Sequence, residues 1–430
     1  MGDSNKMRRF LFLQGPHGPF FRQLSRMLRK TGADTFRVGF NKGDEIFWGR
    51  DNYIPFHQDL AQWPDRFSEI LAEHEISDIV LCGDTRPIHK QAIEIARARN
   101  ITIHVFEEGY MRPYWITYER NGSNGNSRLM DMSLADMQQA LQFSDMDTPM
   151  PPSHWGDTRQ HVFYGAAYHW LVMFANRKYR HFKSHRRIPV QAEFALYVKR
   201  LLMMPFHHIQ RRIKTHQIIH GEFPYHLVLL QLEHDASFQM HSPFDTMAEF
   251  LERTITAFAQ NAPRHHHLVF KAHPLEDGRA QIRKHLTRLA QRHGLADRLH
   301  YVRGGKLAQM LDQTLSAITV NSTAGQQVLW RGIPLKIFGR AVYGKPEFVS
   351  RQTIDDFFKR PDRPDAKAYR DYRRFLLETS QVPGGYYSAK GRRQLMRLVV
   401  DMMLSELDPS DALHNGTAAP RPQLAMIHKR

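Results

Sequence analysis

Short apolar runs that break into polar residues, separated by stretches of helical spacing, constrain this chain more than any other feature. Three stand in the C-terminal half: Leu227–Phe244 (LVLLQLEHDASFQMHSPF), Leu268–Pro274 (LVFKAHP) and Ala317–Gly325 (AITVNSTAG). Each starts as a buried strand and carries its polar chemistry just past the strand's carboxyl end. That edge is where open α/β sheets bind ligands. The segments deliver a carboxylate (Asp235), a Lys/His pair (Lys271, His273) and a hydroxyl loop (Ser322, Thr323), a set suited to an anionic, nucleotide-linked substrate.

The same alternation fills most of the chain. Strands are predicted at 8–15, 36–40, 76–84 and 101–110, with helices at 20–30, 65–74 and 87–99. This order predicts a parallel sheet with helices on both faces. Loop signals (Asn121-Gly122, Asn124-Gly125, Pro149 to Pro152) interrupt it, and residues 159–218 are aromatic, basic and helical in spacing. From Tyr225 strands are predicted at 227–231, 268–271, 299–302, 317–320 and 335–338, with helices at 246–260, 278–293, 307–312 and 325–331. The expected fold is α/β and GT-B-like: two Rossmann-type domains facing across a cleft, a helical basic insertion and a C-terminal crossing helix. The expected boundaries are 1–150, 151–220, 221–388, 389–408 for the crossing helix, and 409–430 for a disordered tail. Fold alone does not give function.

The 430 residues are 42% hydrophobic, enough for two cores. No apolar run approaches membrane-spanning length. The N-terminal apolar stretch, Phe10–Leu13, reads as a first strand rather than a signal peptide. A single cysteine, Cys82, rules out an internal disulfide and fits a reducing compartment. Net charge is +17 before 26 histidines are counted, a field that attracts polyanions, anionic lipid or acidic metabolites. Between Arg177 and Lys214 stand eleven Lys/Arg and one acid, Glu193.

Each candidate has a functional and a plain reading. Asp235 is placed to act as nucleophile or general base, or else to shape a turn or cap a helix. Lys271 and His273, two apart on an extended segment, point to one side and suit a phosphate or carboxylate, with Pro274 stiffening the turn. His273 bonded to backbone at the strand end is the alternative. Asn321, Ser322 and Thr323 join a strand to a helix start, where free amides and hydroxyls favour an anion. N-capping by either hydroxyl is compatible with that.

Glu107 and Glu108 end a strand facing opposite ways, so only one can enter a cleft. Arg112, Pro113 and Trp115 follow. His17, in the loop Gly15–Pro19, is a candidate contact for acceptor or substrate, and Asp84 is another candidate cleft carboxylate that reads more readily as a cap for the next helix. Neither GxGxxG nor GxxxxGK[ST] spacing is present. No Cys/His spacing suggests a metal, and the run His265-His266-His267 reads as incidental. Arg186, Arg187, Arg211 and Arg212, among Trp170, Phe174, Tyr179, Phe182, Leu201 and Phe206, suit an amphipathic surface on anionic lipid. An interdomain helix pair with a solvated basic face is the alternative. Nucleic acid is disfavoured for want of a binding motif.

Taken together, LQLEHDASFQMHSPF, FKAHP and VNSTAG, with VFEEGYMRPYWIT at 105–117, resemble the KpsS/LipB family of bacterial capsular polysaccharide proteins over residues 8–400. The resemblance implies a retaining β-Kdo transferase. It would place the first Kdo (a 3-deoxy-octulosonic acid) from CMP-Kdo onto a (lyso)phosphatidylglycerol acceptor, starting the linker that a KpsC-type transferase extends. It implies Asp235, in a QxxxD element after Gln231, as nucleophile, and Glu107 or Glu108 as acid/base. Gln231, Lys271, His273, Pro274, Asn321, Ser322 and Thr323 would hold the nucleotide sugar, with no metal or cofactor. His234 stands where an acid is common and receives no role. The first domain would serve the acceptor and the second the donor.

The implied setting is cytoplasmic, on the inner face of the inner membrane, with a KpsC-type transferase and the capsule export complex as partners. The lipid side (His17, Arg112, Arg186, Arg187, Arg211, Arg212) is read from the residues rather than from any family motif. The alternative function is a non-catalytic export or scaffold protein that holds the lipid-linked glycan. Kdo, CMP and phosphatidylglycerol are all anionic, which agrees with the chain's charge.

Overall fold

A computed structural model describes residues 7–144, 158–182 and 190–418. In chain order its strands are β1 Arg9–Phe12, β2 Asp34–Gly39, β3 Tyr53–Pro55, β4 Asp78–Cys82, β5 Thr102–Glu108, β6 Trp115–Arg120, β7 Tyr225–Leu229, β8 His267–Ala272, β9 Leu299–Arg303, β10 Ser316–Thr319, β11 Leu335–Ile337 and β12 Gln381–Pro383. They form two sheets, in two compact units.

The first sheet runs β3-β2-β1-β4-β5-β6-β12. Its first five strands are parallel. β6 and β12 are antiparallel additions, so the expected all-parallel sheet is mixed at one edge. The apolar alternation of β1 explains the layering: Phe10 and Phe12 face one core, Leu11 and Leu13 the other. The first core lies under helices Phe20–Lys30 and Ala389–Leu404, the second under Trp63–Glu73 and Pro87–Ala98.

The second sheet, β11-β10-β7-β8-β9, is entirely parallel. Its core packs Leu268, Phe270, Val228 and Ile318 against helices Met247–Asn261, Ile282–Arg292 and Ile354–Lys359. At the start of the first of these helices Thr246 Oγ1 accepts from the Glu249 amide, and the Glu249 carboxylate accepts from the Asp245 amide. In each set of five parallel strands the first in chain order sits centrally, and the order β3-β2-β1-β4-β5 is repeated as β9-β8-β7-β10-β11. Two Rossmann-type units on one chain make the fold GT-B-like.

Three expectations differ from what is observed. The chain rejoins the first unit at Arg374, earlier than residue 388, because β12 pairs with β6 and Leu395, Val399 and Met403 fill the first core. The stretch read as one insertion divides, with 135–190 in the first unit and 191–373 in the second. Pro409–His414 is a helix rather than tail, capped by Asp408 with Leu413 buried beneath it.

Candidate functional site

In sheets of this order, ligands bind where neighbouring strands diverge to opposite sides, between the central strand and the one that follows the reversal. In the second unit this point lies between β7 and β10, and two predicted residues meet there. Gln231 donates to the Asn321 side-chain oxygen at 2.7 Å, and the Asn321 amide donates back to Gln231 Oε1 at 2.9 Å. Asn321 also donates to the Ser237 carbonyl at 2.9 Å, tying the start of helix Ala236–His241 to both strands. Both amides are buried, so each must be paired.

Asp235 begins that helix but accepts no capping hydrogen bond through its side chain. Its carboxylate is half-buried at the sheet's ligand edge. Ser322 and Thr323 are half-buried on the extension of β10. Ser322 Oγ accepts from the Ala324 amide at 3.3 Å, and its carbonyl is held by Tyr343. The helix they precede, Gly325–Trp330, has no side-chain cap. His273 Nδ1 accepts from the Leu275 amide at 3.1 Å, the plain reading of that residue, which leaves Nε2 as the proton-bearing nitrogen. Pro274 is exposed.

Lys271 is 93% removed from solvent (relative exposure 7%) on β8. Burial, then the charge of Arg211, push its ammonium down to about 8. Arg211 was expected on the lipid-facing surface. The structure places it on the inward side of helix Val190–Ile219, where its side chain meets Gly304. Arg212 is exposed. Arg186 and Arg187 lie outside the described residues.

In the first unit the equivalent point lies between β1 and β4. His17 stacks on Tyr168 at 4.3 Å beyond β1. Gly83, past β4, adopts φ +72°, and a side chain there would come within 3.3 Å of Glu107 Oε2, so glycine gives that carboxyl its room. Glu107 and Glu108 differ sharply. Burial first, then the neighbouring charges of Glu108 and Asp84, raise Glu107 to about 7, against hydrogen bonding from the Glu108 amide and the pull of Arg112. Glu108 is half exposed and ion-paired with Arg112 at 3.0 Å. Arg112 thus belongs to the β5–β6 turn, where it also donates to the Gly109 carbonyl.

Asp84 does not cap the following helix. It accepts from the Ser123 amide at 2.8 Å and from Asn126 at 3.1 Å, pinning the loop after β6. Sequence reading passed over Tyr386, whose hydroxyl donates to the Glu107 carbonyl at 2.9 Å, and Glu119, a buried carboxyl raised to about 8 chiefly by burial. The alternation of β6 was the one signal for Glu119. Among the described residues no cluster of three or more His, Cys, Asp or Glu could hold a metal ion, and no helix is long and apolar enough to cross a membrane.

Residues 77–387 match the family model described as capsule polysaccharide biosynthesis protein. The capsule polysaccharide export protein KpsS of Escherichia coli is 28% identical over 381 residues, 88% of this chain and 97% of that protein. The capsule polysaccharide modification protein LipB of Neisseria meningitidis serogroup A is 30% identical over 387 residues, 88% of this chain and 91% of that one. Among solved structures, the β-Kdo 2,7 transferase KpsC of Thermosulfurimonas dismutans aligns with TM-score 0.45 at 10% identity, over 92% of this chain and 100% of that one.

Proposed function

The chain belongs to the capsule polysaccharide biosynthesis family, and we propose that within it the protein is a retaining glycosyltransferase. The donor in this reading is CMP-Kdo and the acceptor a phosphatidylglycerol-type lipid. The observation that carries it is Glu107: a carboxyl that titrates near neutrality at a ligand edge is fitted to take and return a proton. Asp235 serves as nucleophile, its carboxylate forming a bond to the anomeric carbon as CMP departs. The acceptor hydroxyl then displaces it, giving up its proton to the acid/base. Gln231, Asn321, Ser322 and Thr323 hold the nucleotide sugar at the β7/β10 divergence, with His273 and Pro274 at the end of β8.

Mass spectrometry of a phosphatidylglycerol acceptor incubated with CMP-Kdo and the protein tests this directly. A lipid one Kdo heavier, with CMP released, is expected. Asp235→Ala should abolish both while leaving the circular dichroism spectrum unchanged. Normal turnover in that variant removes the mechanism. A second reading, a non-catalytic export component, draws on the printed name of the Escherichia coli relative. It predicts glycan binding with no consumption of CMP-Kdo.

We also propose that the protein works at an anionic membrane surface. On helix Thr158–Phe174, Tyr164 and Tyr168 pack inward on Phe47, while Val162, Phe163, Trp170 and Phe174 are exposed. Exposed Arg159, Arg177, Lys178 and Arg180 flank that stripe. An apolar strip with cations at both ends suits a bilayer interface. Trp170→Ser combined with Phe174→Ser should release the protein from sedimenting phosphatidylglycerol vesicles. Unchanged sedimentation would refute this role.

A further inference from the structure

Three buried oxygens in the first unit are left without a hydrogen bond among the described residues: Asp84 Oδ1, Glu119 Oε1 and Ser123 Oγ. Each belongs to a residue at least nine-tenths removed from solvent, with relative exposures of 4%, 9% and 0%.

We propose that Asp84, Glu119 and Ser123 form a cation site beneath the loop that follows β6, and that calcium is the ion it fits best.

The loop brings these groups together. Asn121 and Asn124 take φ of +67° and +52°, and the chain closes into a tight turn at Asn124–Asn126. A side chain at Gly122 would run into the Asn126 carbonyl, so the fold of the loop requires glycine there. Consecutive amides then reach toward both carboxyls. The Ser123 amide donates to Asp84 Oδ2 at 2.8 Å, and the Asn124 amide to the Tyr110 hydroxyl at 2.6 Å. That hydroxyl donates in turn to Glu119 Oε2 at 3.3 Å. Asn126 adds a second bond to Asp84 Oδ2 at 3.1 Å, and Ser127 also bonds the Glu119 carboxyl. One oxygen of each carboxyl therefore serves to hold the loop, and the second is left unmatched. Buried oxygens in that condition call for a ligand.

The ligand they call for is positive. Among the described residues neither carboxyl enters an ion pair, and the two arginines of this segment are committed elsewhere. Arg120 donates to the carbonyls of Met402, Ser405 and Glu406. Arg128 pairs with Asp411 at 2.7 Å and Asp408 at 4.0 Å. The charges that act on Glu119 are those of two further acids, Asp408 and Asp84. Carboxyls gathered under burial with no opposing charge are costly. A buried water would fill the same three positions, but it brings no charge.

The groups on offer are all oxygen, with no His or Cys among them, so the site suits a hard cation rather than zinc or copper. Only two of them are carboxyls, which leaves the rest of the shell to the hydroxyl, loop carbonyls and water. Calcium accepts such an irregular shell, whereas magnesium demands a near-ideal octahedron and gives up its water reluctantly. The bound ion would rivet the loop to the end of β4, next to the Gly83 that gives Glu107 its room.

Calorimetric titration and thermal unfolding of the full chain test this at constant ionic strength. Chelator-treated protein is used at pH 8, because without a cation burial keeps a proton on Glu119 up to about 8. Calcium should bind at one ion per chain and raise the melting temperature, and magnesium should bind more weakly. Glu119→Gln and Asp84→Asn should each weaken calcium binding by more than about tenfold, since even an outer-shell partner of a metal is worth about tenfold to a hundredfold. Glu94→Gln, at an exposed position of helix Pro87–Ala98, should bind as the unaltered protein does. In chelator, Glu119→Gln should melt no lower than the unaltered protein, because the amide keeps an acceptor for Tyr110 and removes a buried charge. Lost binding would then not reflect lost folding. The proposal is overturned if calcium neither binds nor shifts the melting of the unaltered protein, which is the result a buried water would give. It is overturned equally if Glu119→Gln binds calcium as tightly as the unaltered protein, or if Glu94→Gln loses as much. Magnesium binding as tight as that of calcium would overturn the choice of ion. None of these readouts depends on sugar transfer, so the site stands or falls apart from the transferase reading.

Discussion

Burial acts on both ligand edges of this molecule, with opposite chemical results. In the first unit it raises a carboxyl, Glu107, to about 7. In the second it lowers an ammonium, Lys271, to about 8. The physics is the same in both places: low polarity penalises the charged form. A raised carboxyl becomes a proton carrier at neutral pH, whereas a buried ammonium stays mostly charged and becomes a demand for an anion. In the proposed reading, one sheet edge serves proton transfer and the other holds charge.

The comparison is broken most directly at Glu107. Glu107→Gln keeps the shape and removes the titrating proton. CMP release from CMP-Kdo with lipid acceptor should fall by about a hundredfold to ten-thousandfold, the usual contribution of a general acid or base. Glu108→Gln, which breaks only a half-exposed pair with Arg112, should cost far less. Equal losses in the two variants would mean that the environment of Glu107 is not what matters.

A smaller effect sharpens the other side. Asn321→Ala leaves the buried Gln231 Nε2 without its side-chain acceptor, while the backbone amide at 321 still reaches Gln231 Oε1. An unpaired buried amide costs about 1–3 kcal/mol, so the denaturant midpoint should drop with little change in slope. Donor binding should weaken as well, because the strand ends lose their tie. An unchanged midpoint would show that water replaces Asn321 freely and that the divergence point is not preorganised.

What the sequence disclosed, and what it hid, follows the same physical lines. Parallel strands buried on both faces are continuous apolar runs, so LVLL, LVF and AITV announced themselves, and the Gln231 and Asn321 that meet at the divergence lay in the segments they open. Strands at the sheet margin carry no such run. β3 and β12 have three residues each, and β6 is antiparallel, which local pattern does not encode. Arg211 was misplaced for a different reason. Its helix is apolar on two sides, with Phe206, Ile209 and Ile213 exposed and Ile218 buried, so hydropathy does not say which arginine faces in. The raised carboxyl of Glu107 was invisible because burial is a property of the fold: EEGY fixes two glutamates on opposite faces and leaves open which one is covered.

The subtlest contrast is in the response to pH. Glu119 and Glu107 bind protons more tightly in the folded chain than in the unfolded one. Their stabilising contribution is therefore complete below the ordinary carboxylate range and is lost as pH rises toward 8. In the second unit, His226 is lowered to about 3 by burial and then His266, and His300 to about 4 by burial and then His267 and Lys214. Those rings stabilise fully above about pH 6.5, and that contribution is lost as pH falls toward 4 and 3. These carboxyls weaken the first unit on the alkaline side, while on the acid side the second unit's rings act together with His104 and Asp78 of the first, both lowered in the folded chain. Glu119 provides the clean test, since it lies buried beneath Tyr110, which donates to it at 3.3 Å. Glu119→Gln keeps an acceptor for that bond and abolishes the titration. Between pH 6 and pH 8 the unaltered protein should lose about 5 °C of melting temperature that the variant retains, while the acid limb, set by the histidines, should be the same in both. If the alkaline limb survives the substitution unchanged, Glu119 does not set it.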